Sequence, residues 1–318
     1  MQPSPSNAPM AKKNNFQINL EYYFVKTILG FLGILPRKLA VFICVRIGDL
    51  AYLLLGNLKR VALKNTEIAF PKLSKKERKK IVRGCFQNLG RQLGELSQFP
   101  KATRESLEKI VEISVRDETW ERYREVKKTG RGVIFLTPHF GGWEILAFVS
   151  FIFLGSQSYL VRKLDNPRLE EMLAAMRGKF GNIPIDKSTG ILNALQLLRN
   201  GGNLGILPDL NTQKHEGVFV PFFGKEACTT GGVAALAMRT DAIVALLSAA
   251  WNEEKKKYII TLDDSFEFET NGDRKQSLID FTAKFTKEIE NVIRRNPEQW
   301  FWIHKRWKTR PEGEPEIY

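Results

Sequence analysis

Several common active-site signatures are missing from this chain of 318 residues. It contains no GxxxxGKS/T loop, no GxGxxG turn after a predicted strand, no GxSxG elbow and no HExxH helix. Each of these patterns supplies groups that its chemistry requires. Their absence therefore argues against P-loop, dinucleotide-binding, serine-hydrolase and zincin mechanisms.

Cysteine and histidine are scarce, which limits the metal and redox chemistry open to the chain. The cysteines are far apart and form no CxxC pair; they are Cys44, Cys85 and Cys228. Neither a disulfide framework nor a thiolate zinc site is predicted, and a reducing compartment is the default. One conceivable metal site would combine four other side chains: His139, Glu144, Asp209 and His215. No pair among these has recognisable ligand spacing, so no metal or redox cofactor is expected.

Acidic residues are outnumbered, with 35 Asp+Glu against 49 Lys+Arg and a formal net charge of +14. Such a surface favours an anionic partner: nucleic acid, an anionic bilayer or an acidic protein. The hydrophobic fraction of 43% is enough for a sizeable core. The length suits one large domain with an appendage better than two full domains.

No apolar run cleanly meets the criteria for a membrane-spanning helix, which needs about 20 apolar residues with few charges. Residues 22–35 contain Lys26, residues 39–58 contain Arg46 and Asp49, and Pro36 separates the two segments. No small-residue cleavage site follows the first segment, which argues against a secretory signal.

Two interpretations of this apolar region remain open. It is either an amphipathic hairpin lying on or dipping into a membrane, or a pair of buried core helices. In the first case cationic side chains would meet the lipid headgroups. These are Lys26, Arg37, Lys38, Lys59 and Arg60.

Downstream, short apolar segments alternate with segments of helical periodicity. Predicted strands cover residues 109–115, 133–136, 158–162, 203–207, 242–249 and 257–262. Predicted helices cover residues 59–70, 75–97, 118–128, 167–180, 190–200, 229–240 and 275–295. This alternation predicts an α/β fold with a mostly parallel central sheet flanked by helices. We expect a disordered polar tail over residues 1–15, an apolar helical membrane-anchoring segment over 16–60, and an α/β domain over 61–318.

The stretch GVIFLTPHFGGWE, residues 132–144, places two ionisable groups directly after a buried strand. Pro138 ends the strand, and an apolar helical pattern begins at Trp143. A polar pair at the carboxyl end of a buried strand is where open α/β sheets hold their ligands. The pair is His139 and Glu144.

An imidazole is suited to taking and returning a proton near neutral pH, and a carboxylate on its second nitrogen would fix its tautomer. On one helix this spacing would put the two groups on different faces, but a glycine turn followed by a helix start can bring them together. His139 and Glu144 are therefore the candidate acid–base pair. As a bare pattern, the spacing also fits a hydrogen-bonded core histidine and a glutamate at a helix start.

Two further ionisable residues follow predicted strands. Arg162 ends one strand, and Asp209 follows another. Either could be an ordinary surface charge, but both are predicted at the same sheet edge as His139. The segment WFWIHKRWKTRPEG, residues 300–313, interleaves three tryptophans with cations, a pattern shared by nucleic-acid binders and by proteins at membrane interfaces.

With these residues in hand, the chain resembles the late acyltransferases of lipid A biosynthesis, within the wider acyltransferase superfamily that has a His–x4–Asp/Glu motif. TPHFGGWE matches the motif block, VRKLDNPRL matches the block containing Arg162, and LPDLNT with VFVPFFG and TTGG matches the block containing Asp209. WIHKRWKTRPEG matches the family's ending. The chain departs from several members at Leu210–Asn211, where they carry a second acidic or polar residue.

The resemblance implies a membrane-associated acyltransferase at the cytoplasmic face of the bacterial inner membrane. It would move a fatty acyl chain from an acyl carrier protein thioester, or less favourably a coenzyme A thioester, to a hydroxyl of a lipid A precursor. His139 and Glu144 would be catalytic, Arg162 and Asp209 would bind substrate, and no cofactor would be needed. Acyl carrier protein is acidic and suits the positive charge. Backbone N–H groups around Gly141–Gly142, or Arg162, would stabilise the oxyanion.

Two alternatives remain. The same chemistry could serve another glycolipid or a glycerolipid acceptor. A basic nucleic-acid-binding or membrane-binding protein without catalysis would instead show salt-sensitive binding that does not depend on His139. The apolar amino-terminal region argues against a nucleic-acid partner.

Overall fold

The computed structural model describes residues 14–114, 117–155, 157–161, 163–186 and 190–318. Most of the tail predicted for residues 1–15, and Arg162, lie outside these ranges. The helices are α1 (Asn15–Ile34), α2 (Arg37–Leu54), α3 (Gly56–Ala69), α4 (Lys75–Leu96), α5 (Arg104–Glu108), α6 (Asp117–Lys128), α7 (Trp143–Leu154), α8 (Pro167–Gly178), α9 (Ile191–Arg199), α10 (Gly232–Thr240) and α11 (Arg274–Arg295). The strands are β1 (Val111–Ser114), β2 (Val133–Leu136), β3 (Ser158–Val161), β4 (Ile183–Asp186), β5 (Asn203–Ile206), β6 (Gly217–Phe222), β7 (Lys225–Thr230), β8 (Ile243–Asn252) and β9 (Lys257–Phe266).

Seven strands form one sheet in the order β1-β9-β8-β2-β5-β3-β4. Every neighbouring pair is parallel except β8 and β9, which run antiparallel. The predicted α/β fold with a mostly parallel sheet flanked by helices is confirmed. The central strand β2 is buried along its whole length, as expected for a parallel strand covered on both faces.

Two hydrophobic cores lie on opposite faces of the sheet. Along β2, Ile134 and Leu136 belong to one core, while Val133 and Phe135 belong to the other, following the two-residue period of a strand. The core on the Phe135 face includes much of α7, for example Ile145 and Phe148.

Three strands were not predicted from the sequence, and two of them contain proline. Pro184 lies in β4, which is an edge strand, and Pro221 lies in β6, which pairs only with β7 in a separate antiparallel ribbon. Proline is tolerated at such edges because no neighbouring strand requires its missing N–H.

The amino-terminal helices follow the predicted break at Pro36. Asn14 and Gln17 form a capping box at the start of α1, and Pro36 is the N-cap of α2. Helices α2 and α4 pack antiparallel, with Gly48 against the backbone of Phe86 and Gly90 against that of Cys44. A side chain at either glycine would overlap the neighbouring backbone, so these glycines allow the close approach.

Only one side of this amino-terminal region is buried. In α2 the buried side includes Ala40, Cys44 and Gly48. Large apolar side chains on the other side of α1 and α2 are exposed, including Phe24 at 65% and Ile34 at 82%. The interpretation as two buried core helices is therefore wrong.

In the described ranges, no single helix is long and apolar enough to cross a membrane. Together, α2 and α3 have the length and composition of a membrane-spanning segment, and they meet at a bend of 88°.

Candidate active site

The sheet register brings two predicted site residues together. Leu136 of β2 pairs with Ile206 of β5, and each of these residues ends its strand. His139 and Asp209 each follow three positions later, at the same carboxyl edge of the sheet. Parallel pairing in this register is therefore the reason the two side chains meet.

Asp209 holds His139 at two points. Its Oδ1 is 2.8 Å from His139 Nδ1, and its Oδ2 accepts from the backbone N–H of His139 at 2.8 Å. Oδ2 also accepts from the indole N–H of Trp300 at 2.8 Å. The Asp209 side chain is completely buried, so its charge is compensated by these three donors.

The charge state of Asp209 sets the tautomer of His139. Burial raises the pKa of Asp209, but the adjacent His139 imidazole and the three hydrogen bonds outweigh it, so the pKa lies below its ordinary value. An ionised carboxylate only accepts hydrogen bonds, so the neutral ring carries its proton on Nδ1. Nε2 then has a free lone pair, and the side chain is 21% exposed. This is the arrangement of a general base with an orienting carboxylate.

Glu144 does not occupy the predicted position. Among the described residues, the carboxylate on the His139 ring is that of Asp209, and the predicted contact from Glu144 is wrong. Glu144 instead accepts from Arg177 of α8, with Oε1 2.7 Å from one terminal nitrogen and Oε2 3.1 Å from Nε. Burial lowers the pKa of Arg177, but the charge and hydrogen bonds of Glu144 outweigh it and raise the pKa. This ion pair therefore links the amino-terminal end of α7 to α8.

The turn at Gly141–Gly142 packs closely against neighbouring backbone. Gly141 has φ +56°, and a side chain there would overlap the carbonyl of Ala249. Its N–H donates to Gln299 O at 3.0 Å, and the N–H of Gly142 donates to Ala249 O at 2.7 Å. Both N–H groups are thus already bonded to backbone carbonyls. In this conformation these two N–H groups are therefore not available to an oxyanion.

The carboxyl-terminal segment forms the back of the site. Trp300, Trp302 and Trp307 are all 0% exposed, so the interpretation of these rings as a nucleic-acid or membrane surface is wrong. Trp300 bonds Asp209, and the buried guanidinium of Arg306 donates to the carbonyl of Cys228 at 2.8 Å. The same guanidinium donates to the carbonyl of Leu210 at 3.5 Å, so Trp300 and Arg306 both hold the loop that carries Asp209.

His304 also contacts that loop. Its Nε2 accepts from the backbone N–H of Asn211 at 3.1 Å. The pKa of His304 is lowered to about 4, mainly by burial; the charge of Asp209 opposes this shift, and the charges of Arg306 and His139 add to it. His304 is therefore neutral near pH 7, with its proton on Nδ1.

A narrow cavity of about 60 Å³ lies along α7 and has Trp143 in its lining. At the site end it is lined by Thr137, Trp143 and Leu207, and the ring of Trp143 lies 5.7 Å from that of His139. The rest of its lining comes mostly from α7, β3 and β5. In the described ranges, no cluster of three or more His, Cys, Asp or Glu side chains has the geometry of a metal site.

Comparison with known proteins supports an enzymatic reading of this geometry. The family model described as bacterial lipid A biosynthesis acyltransferase matches residues 10–309. The chain belongs to this family. It is therefore an acyltransferase, and the predicted family and enzyme class are confirmed.

Three curated proteins of Escherichia coli strain K12 are similar to this acyltransferase over most of their length. The lipid A biosynthesis palmitoleoyltransferase is 26% identical over 317 residues, covering 98% of this chain and 99% of that protein. The lauroyltransferase is 27% identical over 290 residues, covering 86% of each chain. The myristoyltransferase is 25% identical over 295 residues, covering 90% of this chain and 86% of that protein.

Sequence reasoning found only part of the acyltransferase site. It placed His139 and Asp209 at one sheet edge, and the structure joins them directly. It missed Trp300 and Arg177, because each reaches the site through packing between segments far apart in sequence. No local pattern could have indicated these contacts. The assignment of Arg162 to substrate binding stays a prediction, since that residue lies outside the described ranges.

Proposed function

We propose that this acyltransferase carries out a late acylation of lipid A. It takes a fatty acyl chain from an acyl carrier protein thioester and transfers it to a hydroxyl of a lipid A precursor. The observation that carries the proposal is the His139–Asp209 pair, in which Nε2 of the ring has no hydrogen-bond partner among the described residues, in a chain of the lipid A acyltransferase family. The division into a polar tail, an apolar segment and an α/β domain is part of the same proposal.

The reaction uses His139 as base and then as acid. Nε2 takes the proton of the acceptor hydroxyl while the hydroxyl oxygen attacks the thioester carbonyl carbon. The tetrahedral intermediate collapses, the carbon–sulfur bond breaks, and the departing sulfur receives the proton from Nε2. Asp209 remains ionised throughout and stabilises the imidazolium that forms between the two steps.

The first turn of α7 is suited to the oxyanion. Gly142 is its N-cap and supplies no side-chain cap, so the N–H groups of Trp143 and Glu144 begin the helix without intrahelical partners. The positive end of the α7 dipole lies at this same turn and favours a negatively charged oxygen there. Arg162 is the second candidate for this role, and Glu144 acts by fixing the start of α7 through Arg177.

The acyl chain is proposed to occupy the cavity at Trp143. Trp143, whose ring lies 5.7 Å from that of His139, lines this cavity, and its walls are largely apolar side chains, including Leu146 and Leu154. A thioester carbonyl placed at the ring would have its alkyl chain directed into this space.

The donor is proposed to be acyl carrier protein because of the surface charge. An acidic carrier is attracted by a net charge of +14, and such steering weakens as salt screens it. A coenzyme A thioester is the lesser donor. Activity with acyl carrier protein thioester should therefore fall more steeply between 50 and 300 mM salt, about tenfold, than activity with the coenzyme A thioester.

Membrane association at the cytoplasmic face of the bacterial inner membrane is proposed for α1 and α2. Their exposed side presents large apolar residues, a patch that soluble monomers rarely leave uncovered. These include Phe16, Leu20, Phe24, Phe31, Ile34, Leu53 and Leu54. The nearby cations suit anionic headgroups. Arg37 is an exception to the predicted set, since it pairs with buried Glu95.

Product mass spectrometry tests the proposed acceptor. Purified protein is incubated with acyl carrier protein thioester and, separately, a lipid A precursor, a glycerophospholipid precursor and a mannosylated phosphoinositide. We expect the mass of one acyl chain to be added to the lipid A precursor alone. Acylation of either other acceptor in its place would refute the proposed substrate and support the alternative glycolipid or glycerolipid acceptor.

A further inference from the structure

The cavity at Trp143 has lining residues at both the carboxyl and the amino ends of the parallel strands. Thr137 and Leu207 line it just beyond the carboxyl ends of β2 and β5. Ser158 and Asn182 line it at the amino ends of β3 and β4. The cavity therefore starts at the site and ends on the opposite edge of the sheet.

One face of α7 forms a continuous wall of this cavity. The lining residues of α7 follow the spacing i, i+3, i+4, i+7 and i+11, which places them on one helix face. They are Trp143, Leu146, Ala147, Ser150 and Leu154. Eleven steps of about 1.5 Å make this wall about 16 Å long. Trp143 lies at the His139 end and Leu154 at the far end.

Gly205 keeps the opposite wall open. In the sheet it pairs with Phe135 on one side and Tyr159 on the other, and all three line the cavity. A Cβ at Gly205 would lie 3.5 Å from Tyr159 Cβ, an ordinary contact. An alanine would fit there, whereas a leucine side chain would project into the cavity.

The far end is closed by amide groups held in place. Asn182 Nδ2 donates to the carbonyl of Ala147, and its Oδ1 accepts from the N–H of Gln157 at 3.3 Å. Both side chains are buried and line the cavity. An alkyl end pushed into them would break hydrogen bonds that water cannot replace, so the cavity has a defined floor.

We propose that α7 measures the acyl chain and that the cavity selects chains of about twelve carbons, with Leu154 at the floor and Gly205 setting the width. The inference rests on the proposed function. An extended alkyl chain advances about 1.3 Å per carbon, given single bonds of about 1.5 Å, so a wall of about 16 Å matches about twelve carbons. The resting volume of about 60 Å³ is smaller than such a chain, so the walls separate as it enters.

Two variants should shift the preferred chain length in opposite directions. Leu154→Ala deepens the floor and should move the optimum up by about two carbons, since one misplaced methylene is worth about tenfold in rate. Gly205→Leu narrows the cavity and should lower twelve-carbon transfer about tenfold relative to eight-carbon transfer. Gly205→Ala should fold normally and show a smaller shift in the same direction as Gly205→Leu.

Each variant has a matched control. Ile152→Ala removes a similar side chain from α7 at a position that does not line the cavity. Gly178→Leu adds the same side chain on α8, where a Cβ would have no atom within 4 Å. Transfer is measured with an equimolar pool of acyl carrier protein thioesters of 8 to 18 carbons and one lipid A precursor. For each variant, the amounts of product with different acyl chain lengths are compared as ratios, and the total activity is not used.

The outcomes separate the two proposals. Opposite shifts in the cavity variants with unchanged ratios in the controls would support the measuring role. Unchanged ratios in Leu154→Ala and Gly205→Ala, or equal shifts in the controls, would overturn it while leaving the proposed function intact. Transfer of no chain to the precursor by the wild type would instead contradict the proposed function.

A labelling experiment decides the inference without turnover. A dodecanoyl thioester of acyl carrier protein carrying a diazirine at its terminal carbon is irradiated with the wild-type protein. Peptide mass spectrometry should place the label within residues 150–158 or at Asn182. Label confined to other parts of the chain, or no label at all, would overturn the inference.

Discussion

His139 and Asp209 are joined through both the imidazole ring and the backbone. Nδ1 lies 2.8 Å from one carboxylate oxygen, and the N–H of the same residue donates to the other oxygen at 2.8 Å. One carboxylate thereby fixes the position of the loop and the rotation of the ring. The pair is the part of the site that the chemistry depends on most, and replacing either member should affect the rate more than the fold.

Asp209→Asn should lower the transfer rate by roughly 10³-fold. The amide keeps the size of the side chain but replaces one acceptor oxygen with an NH2 donor, so it cannot accept all three hydrogen bonds and His139 loses its defined tautomer. Initial rates at saturating donor and acceptor measure the effect. Asp263→Asn is the control, because it removes a buried carboxylate that binds Ser248 and Arg295. Equal losses in both variants would show that the Asp209 effect is only structural.

Trp300→Phe should lower the rate about tenfold and destabilise the protein by about 1 kcal/mol, because the Asp209 carboxylate loses one buried donor. The matched control is Trp302→Phe, which removes an indole donor to the carbonyl of Pro297 from an equally buried ring. Denaturant unfolding and initial rates are measured for both. A control variant that loses as much activity at similar stability would contradict the role given to Trp300.

The fold was largely predictable because burial on both faces leaves a strong pattern in parallel strands. Residues 133–136 and 203–206 read as strands from their apolar runs, and the structure has them as β2 and β5. The pairing of Leu136 with Ile206 could not be predicted in the same way. It depends on the order of strands in the sheet, which one sequence without relatives does not reveal.

Glu144 and Arg177 should act as one unit. Arg177→Met leaves a partly buried carboxylate without its cation and should destabilise the protein by about 2 kcal/mol. Glu144→Gln and Arg177→Met should each lower activity by a similar factor, about tenfold to a hundredfold, because both release the start of α7. Loss of all activity in Glu144→Gln alone would instead restore a direct chemical role for Glu144.

A double-mutant cycle makes this test quantitative. The loss of unfolding free energy in the double variant should be smaller than the sum of the losses in the two single variants, and the difference, the coupling energy, should be about 1–2 kcal/mol. Lys163 and Asp186 supply a control pair, since their side chains form an ion pair 3.0 Å apart in which the lysine is 69% exposed. Their coupling should be well below 1 kcal/mol.

The stability of the protein should depend on pH through His304. Its pKa falls from an ordinary value of 6.5 to about 4 on folding, so the unfolded chain binds the proton more tightly. The free energy of unfolding should therefore decrease as the pH drops from about 6.5 towards 4, and this contribution is complete above 6.5. His304→Gln should remove this pH dependence, which amounts to roughly 3 kcal/mol of unfolding free energy across the interval. An unchanged slope would contradict the assignment.

The site was predictable only where a local pattern marks it. The glycine turn after β2 indicated a close approach of backbone, and Gly141 does pack against Ala249. The same pattern suggested that Glu144 would reach His139, because both flank the turn. Arg177 satisfies Glu144 instead, through a contact between α7 and α8 that only tertiary structure provides.

The central claim is that Nε2 of His139 is the base for acyl transfer to a lipid A precursor. The most direct measurement compares product formation, by mass spectrometry, for wild type, His139→Asn and His215→Asn. His139→Asn retains a donor for Asp209 and removes the base, while His215 is 72% exposed and serves as control. We predict a loss of about 10³-fold or more in His139→Asn and an unchanged rate in His215→Asn. Acylation of the precursor at the wild-type rate by folded His139→Asn would contradict the account.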